Sequence, residues 1–363
     1  MLMETTSTEP TKRLSAMNKK VLVIGAFSSN PTVYTYASSF YKAFQNLGFD
    51  TTYINYRQPI AMATIVGINR ITATFATMQA QKKILAAVKK HMPWLVFILK
   101  GECITPATIR AIKQTGARVV NFYPDNPFAL WNNNSTELVL KSLPLFDCFL
   151  SWSQSLTPAL LASGSRHICP FPFAFDSNIF HANYTFTPTE LATYASDVCF
   201  VGTWEPKREQ LLSHAIAHMP HVSFAIWGND WKKNAVSPHI KKSLRGSAIY
   251  GKEMLLACQA AKISLNILRD QNAESHNMRS FEIPASNIFM LSERSSELTE
   301  KIFTEEHSIA SFSGKDQLIK QINYYLEAPK KRKYIAQAAH KIVAAYALEK
   351  QLSDYLRTCP VLR

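Results

Sequence analysis

Short apolar runs recur along this chain from Val21 onward, each closed by a turn residue and followed by a helix-like stretch. No other feature constrains the fold as much. Val21-Leu-Val-Ile24 ends at Gly25, a helical pattern follows over 34–47, and Gly48 leads to a second run over 52–56. Residues 95–99 close on Lys100-Gly101 and precede a helix over 106–115, with further runs at 118–123 and 148–152 and a helix over 157–162. Strands this short, separated by helices, are the signature of a parallel sheet with helical crossovers. Prolines and aromatics break the rhythm from Cys169-Pro-Phe-Pro172 to about Ser196, which reads as a linker. It restarts at Asp197-Val-Cys-Phe-Val201, then at 223–227, 248–250, 263–267 and 288–291. Two such series predict an α/β protein of two Rossmann-like, doubly wound domains facing across a cleft. Ligands of these sheets bind beyond the carboxyl ends of the strands, so the cleft is the expected site.

Composition agrees. With 363 residues and 47% hydrophobic content the chain is long enough for two cores. No apolar run reaches the roughly 18–20 residues a spanning helix needs. Residues 1–18 are polar, without an export signal, and read as a disordered tail. The domain assignment is 19–172, a linker over 173–196, a second domain over 197–345, and a final helix over 346–363 crossing back to the first. Six cysteines (Cys103, Cys148, Cys169, Cys199, Cys258, Cys359) are scattered and form no Cys-x-x-Cys, which excludes a cysteine zinc site by spacing, and a disulfide framework is not expected in a chain this size. A reducing cytoplasm fits that usage, and the sequons at Asn133 and Asn134 would then be inert. The net charge of +14 points to an anionic partner without naming it.

The stretch 264–339 is the most specific. It carries Glu274-Ser-His-Asn-Met-Arg279, Ser280-Phe-Glu-Ile-Pro-Ala285, Phe289-Met-Leu291, Tyr324-Tyr-Leu326, Pro329 and Arg332. Upstream lie Asp197-Val-Cys-Phe-Val-Gly202 and Arg208. In order and spacing these motifs resemble the CgeB-like branch of the GT-B glycosyltransferases, closely over 197–356 and diffusely before it, where Asp125-Asn-Pro127 fits best. Two departures stand out. Ala285-Ser286-Asn287 replaces a glycine-containing turn, and asparagine is the next best residue for a left-handed backbone. Ala344-Ala345-Tyr346 stands where the family tends to have His-Thr-Tyr.

The resemblance implies a donor site in the second domain. Glu274 and Glu282 have the E-x7-E spacing of many GT-B enzymes, in which the second glutamate accepts hydrogen bonds from the ribose hydroxyls and the first lies near the donor sugar. A carboxylate suits that task because its two oxygens accept two hydroxyls. Arg279 lies three residues before Glu282, and two roles fit it: an ion pair with Glu282, or contact with the diphosphate. Lys207 and Arg208 follow the strand end at Gly202-Thr203, where a fixed cation would stabilise the leaving pyrophosphate, with Arg208 the favoured one. Asn277 and Tyr250 complete the expected donor set. In the first domain Asp125 follows a strand end; it either acts as base on an acceptor hydroxyl or favours the turn before Asn126-Pro127.

Other readings fall away. His214, His218 and His221 lack the glutamate of a zinc helix, and the absence of any Asp-x-Asp argues against a metal-held diphosphate. Gly25-Ala-Phe-Ser-Ser-Asn30 lacks the second and third glycines of a dinucleotide fingerprint. Lys330-Lys-Arg-Lys333 reads as a solvated helix start. Lys232, Lys233, Lys241, Lys242 and Arg245 form a basic cluster for an anionic membrane surface or acceptor, or simply a charged loop. No aromatic–basic motif supports nucleic acid. The sequence thus predicts a metal-independent glycosyltransferase without a resident cofactor, retaining as E-x7-E members often are. It would use a nucleotide sugar as co-substrate and an unknown glycan, lipid or protein as acceptor. The rival is a non-catalytic nucleotide- or glycan-binding protein of the same fold.

Overall fold

The computed structural model describes residues 19–30, 34–58, 70–129, 135–182 and 184–362. The tail over 1–18 and the sequon residues Asn133 and Asn134 lie outside the described residues. Twelve strands among them form two six-stranded parallel sheets. The first holds β1 (Lys20–Gly25), β2 (Asp50–Asn55), β3 (Leu95–Leu99), β4 (Arg118–Phe122), β5 (Cys148–Ser151) and β6 (Ile168–Pro170), in the order β2-β1-β3-β4-β5-β6. The second holds β7 (Ser196–Val201), β8 (Phe224–Trp227), β9 (Leu244–Gly246), β10 (Ala261–Asn266), β11 (Met290–Glu293) and β12 (Ala310–Phe312), in the order β12-β11-β10-β7-β8-β9. Read from β9, the second is the dinucleotide-fold order in which the winding direction reverses between the first and fourth strands. The strands are continuous apolar runs because helices cover both faces: β3 is buried at every position, and β1 at all but Lys20.

Helix ends follow local chemistry. Thr35 and Ser38 form a reciprocal capping box at the start of Tyr36–Asn46, and Thr187 with Glu190 does the same for Pro188–Tyr194. The Glu190 carboxyl is lowered to about 2, chiefly by the Thr187 backbone N–H. After the Arg279–Ala285 helix the chain turns at Asn287, whose φ of 56° is the left-handed conformation expected of an asparagine there. The run at 248–250 is not a strand. The edge strand is β9, held by the Trp227–Gly246 pairing, and it ends before the three apolar residues that follow Ser247. The sequence pattern also leaves β12 and the 22-residue helix Arg70–His91 unmarked, and places β6 partly in the linker.

The last helix, Leu348–Thr358, packs on the N-terminal domain: Asn46 donates to Glu349 at 2.5 Å, and the Tyr355 and Phe171 rings meet edge to face. The two chain segments joining the domains run side by side. Phe175 N donates to the Tyr346 carbonyl at 3.3 Å, and Leu348 N donates to that of Phe175 at 2.9 Å. No helix among the described residues is long and apolar enough to cross a membrane.

Candidate active site

The winding of the second sheet reverses between β7 and β10, and folds of this type place their ligand crevice past the carboxyl ends of such strands, here Gly202-Thr203 and Ile267-Leu268. Arg208, from the first turn of the Pro206–His218 helix, spans it. Its Nε and Nη2 donate to the Ile267 carbonyl oxygen at 3.2 and 2.7 Å, and its Nη1 to that of Thr203 at 2.9 Å. Arg208 thus ties the two strand ends together from a buried position. Its ion-pair partner, Glu205 Oε2, is 3.8 Å away. Burial, with Arg269 and Arg279 nearby, pulls the guanidinium down to about 10 against the pull of Glu205. The crevice therefore holds a desolvated, weakly compensated cation.

Lys207 lies beside it, its Nζ 3.2 Å from Glu293 and 3.3 Å from Asp270. Arg269, not singled out from sequence, donates to Glu205 at 2.6 Å. Its place just past β10 was the signal available for finding it. Gly202 and Gly228 are in backbone contact, so a side chain on Gly228 would strike the Gly202 carbonyl, which also accepts from Trp231 Nε1 at 2.7 Å. Gly202 and Thr203 thus enter through their backbone carbonyls.

Glu282 and Arg279 lie on the Arg279–Ala285 helix behind the crevice. Arg279 Nη1 donates to Glu282 Oε2, and its Nε points to the Val201 carbonyl at 3.4 Å. Of the two roles open to Arg279, the ion pair is the one formed. Glu282 is 1% exposed, yet its Oε1 has no hydrogen-bond partner. Burial raises its carboxyl pKa while Arg279 opposes the shift. The other residues of the motif are placed differently. Glu274 is exposed, its Oε2 accepting from Ser296 at 3.3 Å. Asn277 spends its side chain locally: Oδ1 accepts from Ser280 N at 3.0 Å and Nδ2 donates to Asn266 at 2.9 Å, so it caps the helix. His276 is fully buried against Trp152 and Phe173 of the first domain and Phe281 of the second. Burial drives its imidazole down to about 4.

The opposite wall comes from the N-terminal domain. Asp125 Oδ2 takes Lys100 Nζ at 2.7 Å, and its Oδ1 accepts from Gln271 Nε2 of the other domain at 3.1 Å. Both oxygens of the residue expected as base are engaged. Tyr34 packs over Gly251, and its hydroxyl is buried without a partner; Glu282 adds to the burial that raises its pKa. Nothing in the sequence around Tyr34 signalled this contact. Tyr250 is about half exposed in a loop, not at a strand end. Tyr346, beside the missing His-Thr, lies on the Phe281 ring at 4.6 Å between centroids.

His214 faces Asp316 at 3.1 Å and His218 faces the His214 carbonyl at 2.8 Å; no possible metal group among the described residues includes them. Lys232, Lys233, Lys241, Lys242 and Arg245 are all exposed near the β9 edge, and Lys330 begins the Pro329–Val343 helix.

Two parallel doubly wound sheets with a crevice between them define the GT-B architecture, and solved structures agree. The chain is similar to a sucrose-phosphate synthase from Thermosynechococcus elongatus (12% identity, TM-score 0.64, covering 93% of this chain and 98% of that one). It is also similar to a glycosyltransferase from Rickettsia africae ESF-5 (14%, 0.60, 94% and 97%). A third likeness is to an E. coli structure described as trehalose-6-phosphate bound with UDP-2-fluoro glucose (9%, 0.65, 93% and 98%). No curated protein sequence matches the chain. Residues 207–357 match the profile of a family described as glycosyl transferase-like. That match lies over the C-terminal domain and supports glycosyl transfer, and the two-domain fold of the whole chain is that of the GT-B structures.

Proposed function

We propose that the chain binds a nucleoside diphosphate sugar at the β7/β10 crevice and passes the sugar to an acceptor hydroxyl held by the N-terminal domain. The observation that carries this reading is Glu282: a carboxylate oxygen buried at the domain junction with no partner. Such an oxygen costs about 1–3 kcal/mol unless something donates to it, and a ribose hydroxyl does. The weakly compensated Arg208, with Lys207, gives the diphosphate its field. The E. coli neighbour, described as bound with UDP-2-fluoro glucose, holds a donor of this class. The motifs over 264–339 support placing the chain in the CgeB-like branch.

The transfer breaks the bond between the anomeric carbon and the β-phosphate oxygen, forms one to the acceptor oxygen, and moves the acceptor proton to a base. Asp125 has both oxygens occupied, and Glu274 faces solvent, so the departing phosphate is the base this reading favours. That route keeps the anomeric configuration. Charge on the leaving group falls to Lys207 and Arg208 rather than to a metal ion, which agrees with the absence of Asp-x-Asp in the sequence. The chain works in the cytoplasm, and its exposed basic edge at β9 suits an acceptor on an anionic membrane surface.

Thermal unfolding of the full chain with UDP, GDP, ADP and TDP tests the donor site. One nucleotide raises the midpoint in the native protein and fails to in Glu282→Ala. If none of the four shifts it, the donor assignment is wrong. Turnover of the matching nucleotide sugars then separates the enzyme from the binding module, and the anomeric signal of the product decides retention.

A further inference from the structure

The cysteines that look scattered in sequence do not stay apart. Cys148 on β5 and Cys169 on β6 project from the same sheet face, because Leu150 pairs with Cys169 and side chains two apart share a face. Cys359 follows the Leu348–Thr358 helix that lies over that face. The three Sγ atoms all lie within 4.8 Å of one another, and Cys148 and Cys169 are 3.1 Å apart. Among the described residues no other group of metal-ligating side chains is this close. Zinc–sulfur bonds of about 2.3 Å in tetrahedral array put sulfurs about 3.8 Å apart, which small side-chain rotations reach from here.

We propose that Cys148, Cys169 and Cys359 bind one thiophilic divalent cation of the zinc type, and that this ion fastens the C-terminal helix to the N-terminal sheet. Two further observations fit it. The Tyr355 hydroxyl is buried beside Cys148 and Cys359 without a hydrogen-bond partner; it is an oxygen for the fourth position. A cavity of about 260 Å³ is lined by Asp147, His167 and Pro360, each within two residues of one cysteine, and by Lys113, Arg118 and Arg166. Its basic side chains suit the net negative charge of three thiolates around a dication. Binding releases the three thiol protons to solvent and leaves every redox state unchanged. The site lies on the outer edge of the first sheet and takes no part in sugar transfer.

Cobalt(II) titration of the reduced full-length protein tests it. A thiolate-to-metal charge-transfer band saturates at one equivalent and is displaced by zinc. Cys359→Ser and Cys169→Ala lose the band, whereas Cys199→Ser, in the other domain, keeps it. Circular dichroism confirms folding of each variant. Zinc also raises the unfolding midpoint of the native chain but not that of Cys169→Ala, which has the least buried of the three thiols replaced. No thiolate band in the native protein, or a band that survives Cys359→Ser, overturns the proposal. Nucleotide-induced stabilisation persists in the cysteine variants, so failure here and failure of the donor assignment are told apart.

Discussion

The two switch points of this molecule are built from the same topology and left in opposite electrostatic states. At β1/β3 the charged groups match locally: Lys100 pairs with Asp125 at 2.7 Å, and Glu102 takes both Arg57 and the Tyr56 hydroxyl. At β7/β10 a buried arginine has its carboxylate 3.8 Å away, and a buried glutamate keeps one oxygen without a donor. Unmatched buried polarity is costly to folding, and a protein retains it where a ligand completes it. The difference supports the proposal that the charged donor binds the second domain and an acceptor hydroxyl the first.

Removing the unmatched oxygen should have the largest consequence. In the proposed donor site Glu282→Ala takes away the acceptor for the ribose hydroxyls, and at about 1.5–3 kcal/mol for each charge-assisted bond kcat/KM should fall by about 100-fold or more. Glu282→Gln, which keeps one acceptor oxygen, should fall less. Steady-state kinetics with the donor found by the nucleotide screen measures both. Equal activity in native protein and Glu282→Ala would erase the contrast between the switch points.

Arg208 sharpens it on the stability side. Its three N–H donors hold two strand ends, so Arg208→Met should lower unfolding free energy by about 3 kcal/mol, read from urea midpoints. Lys100→Met, which breaks one partly exposed pair at the other switch point, should cost about 1 kcal/mol or less. Similar losses from the two would mean that both crevices are equally matched.

Legibility followed chemistry that repeats. The sheets were readable because each strand buried on both faces is a short unbroken apolar run, as at β1, β3 and β7. β12, three residues long, and β9, an edge strand ending in glycine, carry too little pattern to be seen. In the candidate site, the pairing of Glu282 with Arg279 is legible through their spacing. Arg208 was found, but its hydrogen bonds depend on where the Ile267 carbonyl falls, and no local pattern encodes that. Tyr34, Gln271 and the Cys148–Cys169–Cys359 group are products of long-range packing, invisible to a reading that scores neighbours along the chain.

His276 probes the seam between the domains. Its folded pKa of about 4 lies below the ordinary 6.5, so the folded state binds fewer protons than the unfolded one between those values. Stability is fully present above pH 6.5 and falls as pH drops toward 4, by about 2–3 kcal/mol in all. His276→Phe should flatten that part of the curve in urea melts taken from pH 7 to pH 4. An unchanged slope would mean that the ring is reached by water, and that the aromatic contacts from Trp152, Phe173 and Phe281 do not keep the seam closed.

Asp125 makes the smallest predicted difference and the most discriminating one. A general base contributes typically about 10²–10⁴-fold, so a catalytic Asp125 would lose that much on conversion to asparagine. The carboxylate is engaged at both oxygens, by Lys100 and Gln271, and the second of these bonds crosses the cleft. An asparagine side chain in its place would still offer Lys100 an oxygen, and it exchanges one accepting oxygen for a donor, so the Gln271 amide must give up either this bond or the one its Oε1 accepts from Asn126 N. Asp125→Asn should therefore lower kcat by less than about tenfold, with the change in KM for the acceptor rather than for the donor, because in the proposed reading the residue positions the wall against which the acceptor binds. A loss near 1,000-fold in kcat with unchanged KM would instead make the matched switch point the seat of proton transfer, and the departing phosphate would no longer be the base.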